Sequence, residues 1–262
     1  MSAPLISINW PSVYKSKDSG SAVPLPARMA QCTPDMKRAI LAIDADLRPL
    51  GGKVVLSDLY RTYEMQYQAH MDYESGKKTA FSPPPGGSMH EAGRAFDVDL
   101  GQINVPLARF WEIAASHGMV PIIAQPVTSA SEAWHFECRG SHQKVYDYYK
   151  AGKADNFKPA HAMAVSAILA TGVQVDEIDN DIAALVQAAL IRLGADPGAI
   201  DGRPGPKTLT AFNSRFNKEG ASLGGGYTLT ELSIMLKDPN ESAELLERVH
   251  ARLAHEFPQE YF

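Results

Sequence analysis

An α+β fold followed by an all-helical module is what this sequence predicts, on three observations. Up to about residue 155, helical stripes and short alternating runs are interspersed without the regular β-α-β alternation of a doubly wound parallel fold. From Ile182 onward the pattern is helical only, interrupted by turn clusters such as Asp196-Pro197-Gly198. At 262 residues the chain has room for one large domain and one small one. The expected architecture is a small mixed or antiparallel sheet flanked by helices over residues 31–155. An irregular arm over 1–30 precedes it, and a linker over 156–177 leads to a helical domain over 178–262.

The arm holds several Pro, Ser and Gly and shows no periodic apolar pattern. A helix follows, with Thr33 at its cap, Pro34 in the first helical position and Met36, Ile40, Ile43 and Leu47 at helical spacing before Gly51-Gly52. The β-rich run from Lys53 to Tyr60 delivers Arg61 at its end, and Thr62 caps a helix running to about Gly76. Ala80 to Gly87, with three consecutive prolines, has to be a loop. Ala95 to Leu100 alternates as a strand, Leu107, Phe110, Trp111 and Ala114 mark a helix stopped by Gly118, and Met119 to Ala124 suits a short strand. A strand from His135 and a helix ending near Gly152 close the first domain, while Ala160 to Ala170 within the linker is itself compatible with a helix. In the tail, Ile182 to Leu193, a helix from Pro206, a Thr228/Glu231 capping box and a helix opened by Asp238-Pro239 make the second module, with a Gly-rich loop over 220–226.

Several partners are set aside on composition. A formal net charge of -5 gives no basic footprint for nucleic acid. No run approaches the length of a membrane-spanning helix, and the first 30 residues lack the basic start and apolar core of a secretory signal. The two cysteines, Cys32 and Cys138, are too few for a disulfide framework or a thiolate cage, and are expected as buried free thiols rather than a disulfide. The oligomeric state is open, with a monomer as the default expectation.

The chemistry concentrates in two stretches. Ser88-Met89-His90-Glu91-Ala92-Gly93-Arg94-Ala95-Phe96-Asp97 puts a histidine and a carboxylate seven residues apart, across a glycine and into a strand. Glu132-Ala133-Trp134-His135-Phe136-Glu137 places another histidine at a strand opening with a glutamate three residues before it. Alternate side chains of a strand share a face, so adjacent strands present Asp97 and His135 together while His90 arrives from the loop. Two imidazoles and a carboxylate are a ligand set of catalytic zinc, with the fourth position kept for water. Such water is acidified to a pKa of about 7. Glu132 is then placed as general base, and Arg61 as partner of a developing oxyanion or of a substrate carboxylate. Asp99 and Glu137 are expected to orient ligands or to be structural. The remaining histidines, His70 among them, show no usable spacing. A Ser88/His90/Asp97 nucleophilic triad competes weakly, since no Gly-x-Ser-x-Gly elbow is present.

These motifs resemble the zinc D-alanyl-D-alanine peptidases, the family of the vancomycin-resistance D,D-carboxypeptidases and dipeptidases and of several phage endolysins. Its Ser-x-His-x-x-Gly-x-Ala-x-Asp pattern is met by Ser88, His90, Gly93, Ala95 and Asp97. Its Glu-x-Trp-His-x-Glu is met by Glu132, Trp134, His135 and Glu137, and an upstream Tyr-Arg-Ser/Thr-x-x-x-Gln by Tyr60, Arg61, Thr62 and Gln66. The resemblance covers about residues 35 to 150 and implies one zinc ion on His90, Asp97 and His135, Glu132 as base, Arg61 beside the scissile carbonyl, and Ser88 and Gln66 near substrate. The tail is similar to helical peptidoglycan-binding domains through Val186-Gln187, Leu193-Gly194, Ile200-Asp201-Gly202 and Gly205-Pro206-Lys207-Thr208, and departs from them after Phe212.

The resemblance implies a peptidase that acts at the cell wall, with peptidoglycan as partner, cleaving stem peptides as a D-alanyl-D-alanine carboxypeptidase. An L-alanyl-D-glutamate endopeptidase of endolysin type is the near alternative. A non-catalytic zinc-containing wall-binding protein is disfavoured by Glu132, because a structural site needs no base. An unrelated zinc amidase is disfavoured by the Ser88 to Asp97 pattern.

Overall fold

The computed structural model describes residues 3–176, 178–216 and 226–262, so most of the Gly-rich loop expected over 220–226 lies outside the described residues. The chain divides into two compact units. One holds residues 4–140 together with 259–262, and the other holds Ala3 with residues 141–258.

The first unit is α+β. Its strands are β1 (Ile6–Ser7), β2 (Pro11–Lys15), β3 (Ala22–Pro24), β4 (Gln31–Cys32), β5 (Leu56–Asp58), β6 (Ala95–Val98), β7 (Met119–Pro121) and β8 (His135–Cys138). Its helices are α1 (Pro34–Leu47), α2 (Tyr63–Glu74) and α3 (Leu107–Ser116). A six-stranded sheet runs β3-β2-β5-β6-β8-β7, antiparallel except for the parallel β2/β5 pair, and β1 pairs separately with β4. The irregular arm expected over 1–30 is therefore corrected. Its described part supplies strands, because Ile8, Trp10 and Ser12 alternate inward, and Pro11 and Pro24 sit at a strand start and a strand end, where no ladder N–H is lost. The Trp10 indole fastens the arm by donating to Val54 O at 3.0 Å.

Period-2 alternation in β6 and β8 decides what each face carries. Phe96, Val98, Phe136 and Cys138 turn into the core with Met36, Ile40, Ile43 and Leu47 of α1 and Phe110 of α3. Asp97 pairs with His135 across the ladder, so the intervening polar residues share the opposite face. All four residues of β6 and of β8 are buried, which places that polar face under cover as well. The register shift between Leu56/Val98 and Asp58/Asp97 brings Asp58 level with Asp97. Both cysteines are free and buried, and burial pushes the Cys32 thiol up to about 12.

The second unit is helical, with α4 (Gln143–Lys150), α5 (Pro159–Ala170), α6 (Asp181–Arg192), α7 (Pro206–Arg215), α8 (Leu229–Met235) and α9 (Pro239–Glu256). α5 is apolar almost all round and buried from Ala162 to Ala170, as such a helix must be. The compact units thus part at Gly140/Ser141 and not near residue 155. The segment expected as a linker carries α5, and the Tyr149 hydroxyl of α4 bonds both Asn156 Oδ1 at 2.9 Å and Ile200 N at 2.8 Å inside the helical unit. Gln187 closes the turn after α6, its side-chain oxygen accepting Asp201 and Gly202 N–H at 3.0 Å each. Gly202 has φ 73°, and a Cβ there would meet Asn180 O at 2.9 Å, so that turn needs glycine. The last four residues rejoin the first unit, where the Arg38 guanidinium donates to Gln259 O and Phe262 O. Among the described residues no helix is long and apolar enough to cross a membrane.

Candidate metal centre

The site grows from the turn between the proline loop and β6. Met89–Ala92 forms a 3-10 turn capped by Ser88, whose Oγ accepts His90 N–H at 3.3 Å. Glu91 reaches back to accept Ser88 N–H at 3.2 Å and Gly86 N–H at 3.0 Å, completing a capping box. Burial pushes this carboxyl up to about 7 even against those hydrogen bonds. Gly93 follows at φ 61°, and a Cβ on it would lie 2.9 Å from Cys32 Cα and from Leu5 Cδ2. Only glycine lets the chain turn here from His90 into the strand that carries Asp97.

His90, Asp97 and His135 are 1%, 8% and 7% exposed, and their ligand atoms lie within 4.8 Å of one another. His90 Nδ1 donates to Leu59 O at 2.8 Å, which fixes the tautomer and leaves the Nε2 lone pair free. That Nε2 is buried, makes no hydrogen bond and stands 3.4 Å from Asp97 Oδ1. His135 Nδ1 lies 2.9 Å from the same oxygen, and its Nε2 is 3.7 Å from Glu137 Oε1, itself held by Arg139 at 2.7 Å. Burial favours a neutral Asp97, but the two imidazoles outweigh it and hold the carboxyl well below the usual range. Burial likewise opposes charge on His135, yet Asp97 and Glu137 raise it to about 10. A buried imidazole nitrogen without a hydrogen bond, beside a carboxylate and a second imidazole, is a donor set that suits a metal ion. These three residues fit a metal ion.

Around this cluster stand the other expected residues. Glu132 is half-buried and takes φ 68°, a strained conformation for a side-chain-bearing residue. Burial, followed by the charge of Asp97, raises its carboxyl pKa against the pull of His135 and Lys78. Arg61 sends Nε and one terminal nitrogen to Asp58 Oδ2, at 2.6 Å each, and the other to Gln66 Oε1 at 3.0 Å, and lies 3.7 Å from Asp97 Oδ2. Its backbone N–H donates to His90 O at 3.2 Å, tying the segment after β5 to the turn that carries His90.

No family model matches the chain, and no curated protein matches it. Solved structures similar to it include a mutant of the vancomycin resistance D,D-pentapeptidase VanY from a VanB-type resistance cassette in complex with Zn(II), at 14% identity and a TM-score of 0.35 over 57% of this chain and 88% of that one. The LdcB LD-carboxypeptidase is similar at 20% identity and a TM-score of 0.33, over 57% and 91% of the two chains. DacB from Streptococcus pneumoniae D39 gives the same identity and TM-score, over 57% and 91%.

Two residues expected near substrate sit differently. Gln66 is fully buried, and its amide nitrogen donates to Pro83 O at 2.6 Å and Ser82 Oγ at 3.2 Å while its oxygen holds Arg61. It positions Arg61 against the proline loop and offers nothing to a ligand. His70, one turn further along the same face of α2, holds Ser82 O at 2.9 Å, a partner that sequence spacing does not reveal. Ser88 is 6% exposed, and its hydroxyl is engaged as the cap. Asp99 caps a turn through Gly101 N at 2.9 Å and stays outside the cluster. Sequence reasoning missed Asp58, the main partner of Arg61, and Glu91; the signals were an acid three residues before the arginine and the capping-box spacing from Ser88.

Proposed function

We propose that this chain is a zinc-dependent peptidase that hydrolyses stem peptides of peptidoglycan, acting as a D-alanyl-D-alanine carboxypeptidase. The observation that carries the metal is the buried, unbonded Nε2 of His90 facing Asp97 and His135. The substrate class is supported by the order and spacing of the motifs around Arg61, Ser88 to Asp97 and Glu132 to Glu137.

When bound, Zn2+ supplies Lewis acidity, polarising the scissile carbonyl and bringing water toward a pKa of about 7. Glu132, whose acidity burial has weakened, accepts a proton on its carboxylate from the attacking water and delivers it to the leaving amine nitrogen. Asp58 and Gln66 occupy part of the Arg61 guanidinium, leaving one N–H on each terminal nitrogen for the developing oxyanion. Glu137 orients the His135 ring through Nε2, and Leu59 O does the same for His90 through Nδ1. The helical unit, read as a wall-binding module, raises the local substrate concentration without any new catalytic contact.

Digestion of purified peptidoglycan with the zinc-loaded protein, followed by mass spectrometry of the fragments, tests this reading. Loss of one terminal alanine per pentapeptide stem, absent with Glu132→Gln, is the expected outcome. A cut between the first two stem residues would replace the carboxypeptidase by the endopeptidase, and no release at all would remove the peptidase.

A further inference from the structure

A carboxypeptidase differs from an endopeptidase in what it must recognise, because the free carboxylate at the end of its substrate has to meet a cation. Arg61 is poorly suited to that role. Its guanidinium already makes two 2.6 Å contacts to Asp58 and lies 3.7 Å from Asp97, so two carboxylates match its charge before any substrate arrives.

The arm brings a second guanidinium to the same rim. Tyr14 of β2 donates its hydroxyl to Ser57 O at 3.0 Å, and the Ser57 hydroxyl donates to Asp97 O at 3.3 Å, which sets the phenol against β5 beside the strand that carries Asp97. The 3-10 turn Ala27–Met29 docks against the residue preceding Arg61, with Met29 O accepting Tyr60 N–H at 3.0 Å. Arg28, at the centre of that turn, is exposed and has no carboxylate partner among the described residues. The Tyr14 phenol lies within electrostatic reach of everything concerned: burial raises its pKa, Asp58 and Asp97 add to that, and Arg28 and Arg61 oppose it. Tyr14 and Arg28 thus come to the end of β5 where Asp58 and Arg61 stand, and Arg28 is the cation there with no carboxylate partner among the described residues.

We propose that Arg28 binds the terminal carboxylate of the substrate peptide, with Tyr14 as the wall between that subsite and the metal cluster. This rests on the peptidase reading above and adds to it the residue that selects a free peptide end. A guanidinium suits that role because its planar fork meets both oxygens of a carboxylate. Standing exposed, it is hydrated until the peptide covers it, and the pair strengthens as water is excluded. Lys78, whose charge acts on Glu132, is the competing cation.

The test measures binding, in the zinc-loaded Glu132→Gln protein so that no turnover intrudes. Diacetylated L-lysyl-D-alanyl-D-alanine and its C-terminal amide are titrated by calorimetry. The acid is expected to bind about tenfold more tightly than the amide, the gain of a bidentate charged contact. Arg28→Ala should bring the acid to the level of the amide and leave the amide unchanged, Arg28→Lys should recover part of the difference, and Lys78→Ala should leave it intact. Preference for the acid that survives Arg28→Ala overturns the assignment, as does a parent protein that binds the acid no better than the amide. The two readings fail separately. Wall digestion that proceeds while Arg28→Ala keeps the preference refutes Arg28 alone; a preference lost with Arg28→Ala in a protein that releases nothing from the wall refutes the peptidase and leaves the subsite standing.

Discussion

β6 with β8 in the first unit and α5 in the second are both buried and chemically opposite. Every residue of the two strands is covered, yet they bury Asp97, His135 and Glu137. From Ala162 to Ala170, α5 buries Ser166 as its one polar side chain, which bonds His142 Nδ1 at 2.9 Å. In the helical unit, burial serves packing, and Ser166, Gln187 and Thr208 all have partners there. Beside the sheet, His90 Nε2 makes no hydrogen bond and faces a carboxylate and a second imidazole. An unsatisfied buried polar group costs about 1–3 kcal/mol, and this one stands where a metal ion would bond it, beside a carboxylate and a second imidazole.

The contrast predicts separable responses to mutation. Glu132→Gln should produce the largest effect, lowering kcat on stem peptides by about 10²–10⁴-fold while the melting temperature stays level or rises, because a half-buried carboxyl that burial disfavours as a charge is being neutralised. Leu190→Ala in α6, at a fully buried position, should cost about 2–5 kcal/mol in chemical denaturation with no change in zinc content. A drop in zinc content in that variant would erase the distinction between the two regions.

Acid should find the helical unit first. Burial, reinforced by nearby positive charge including Arg192, lowers His250 to about 4 from an unfolded value near 6.5. The sign follows from linkage: the folded state prefers the neutral ring, so its contribution is complete above about 6.5 and is lost as pH falls toward 4, amounting at most to about 3 kcal/mol. Urea denaturation at pH 7.5, 5.5 and 4.5 should show this loss in the wild type and a flatter response in His250→Gln. The smallest expected effect is that of Gln66→Leu, about a tenfold drop in kcat with zinc retained, since it loosens Arg61 without touching a ligand. Loss of zinc there would mean that α2 holds up the metal cluster as well as the arginine.

What the sequence makes legible follows from where each signal lies. β6 and β8 can be read because their polar and apolar residues alternate strictly, and the same alternation puts Asp97 and His135 on one face. Arg61, Glu132 and the cluster itself follow from spacing along short stretches. The arm reads as irregular because Pro11 and Pro24 look like breakers, although they occupy strand ends, and the alternation through Ile8, Trp10 and Ser12 has to be read across them. The unit boundary is hidden because α4 follows β8 after a single 3-10 turn, so no change of composition marks the seam. Tyr14 and Arg28 reach the rim by chain reversal from more than 30 residues before Arg61, a proximity that no local pattern encodes. Gln66 stands out in the sequence for the wrong reason: only its burial shows that it holds Arg61 instead of a ligand.

The most direct test of the central claim is a zinc titration of the protein, monitored by elemental analysis after dialysis, across the wild type, Glu132→Gln, His90→Ala, Asp97→Ala and His135→Ala. One zinc per chain in the first two, and its loss in each of the three ligand variants, is what the unbonded His90 nitrogen and its two neighbours predict. A wild type that binds no zinc, or His90→Ala and Asp97→Ala proteins that keep a full equivalent, would contradict it.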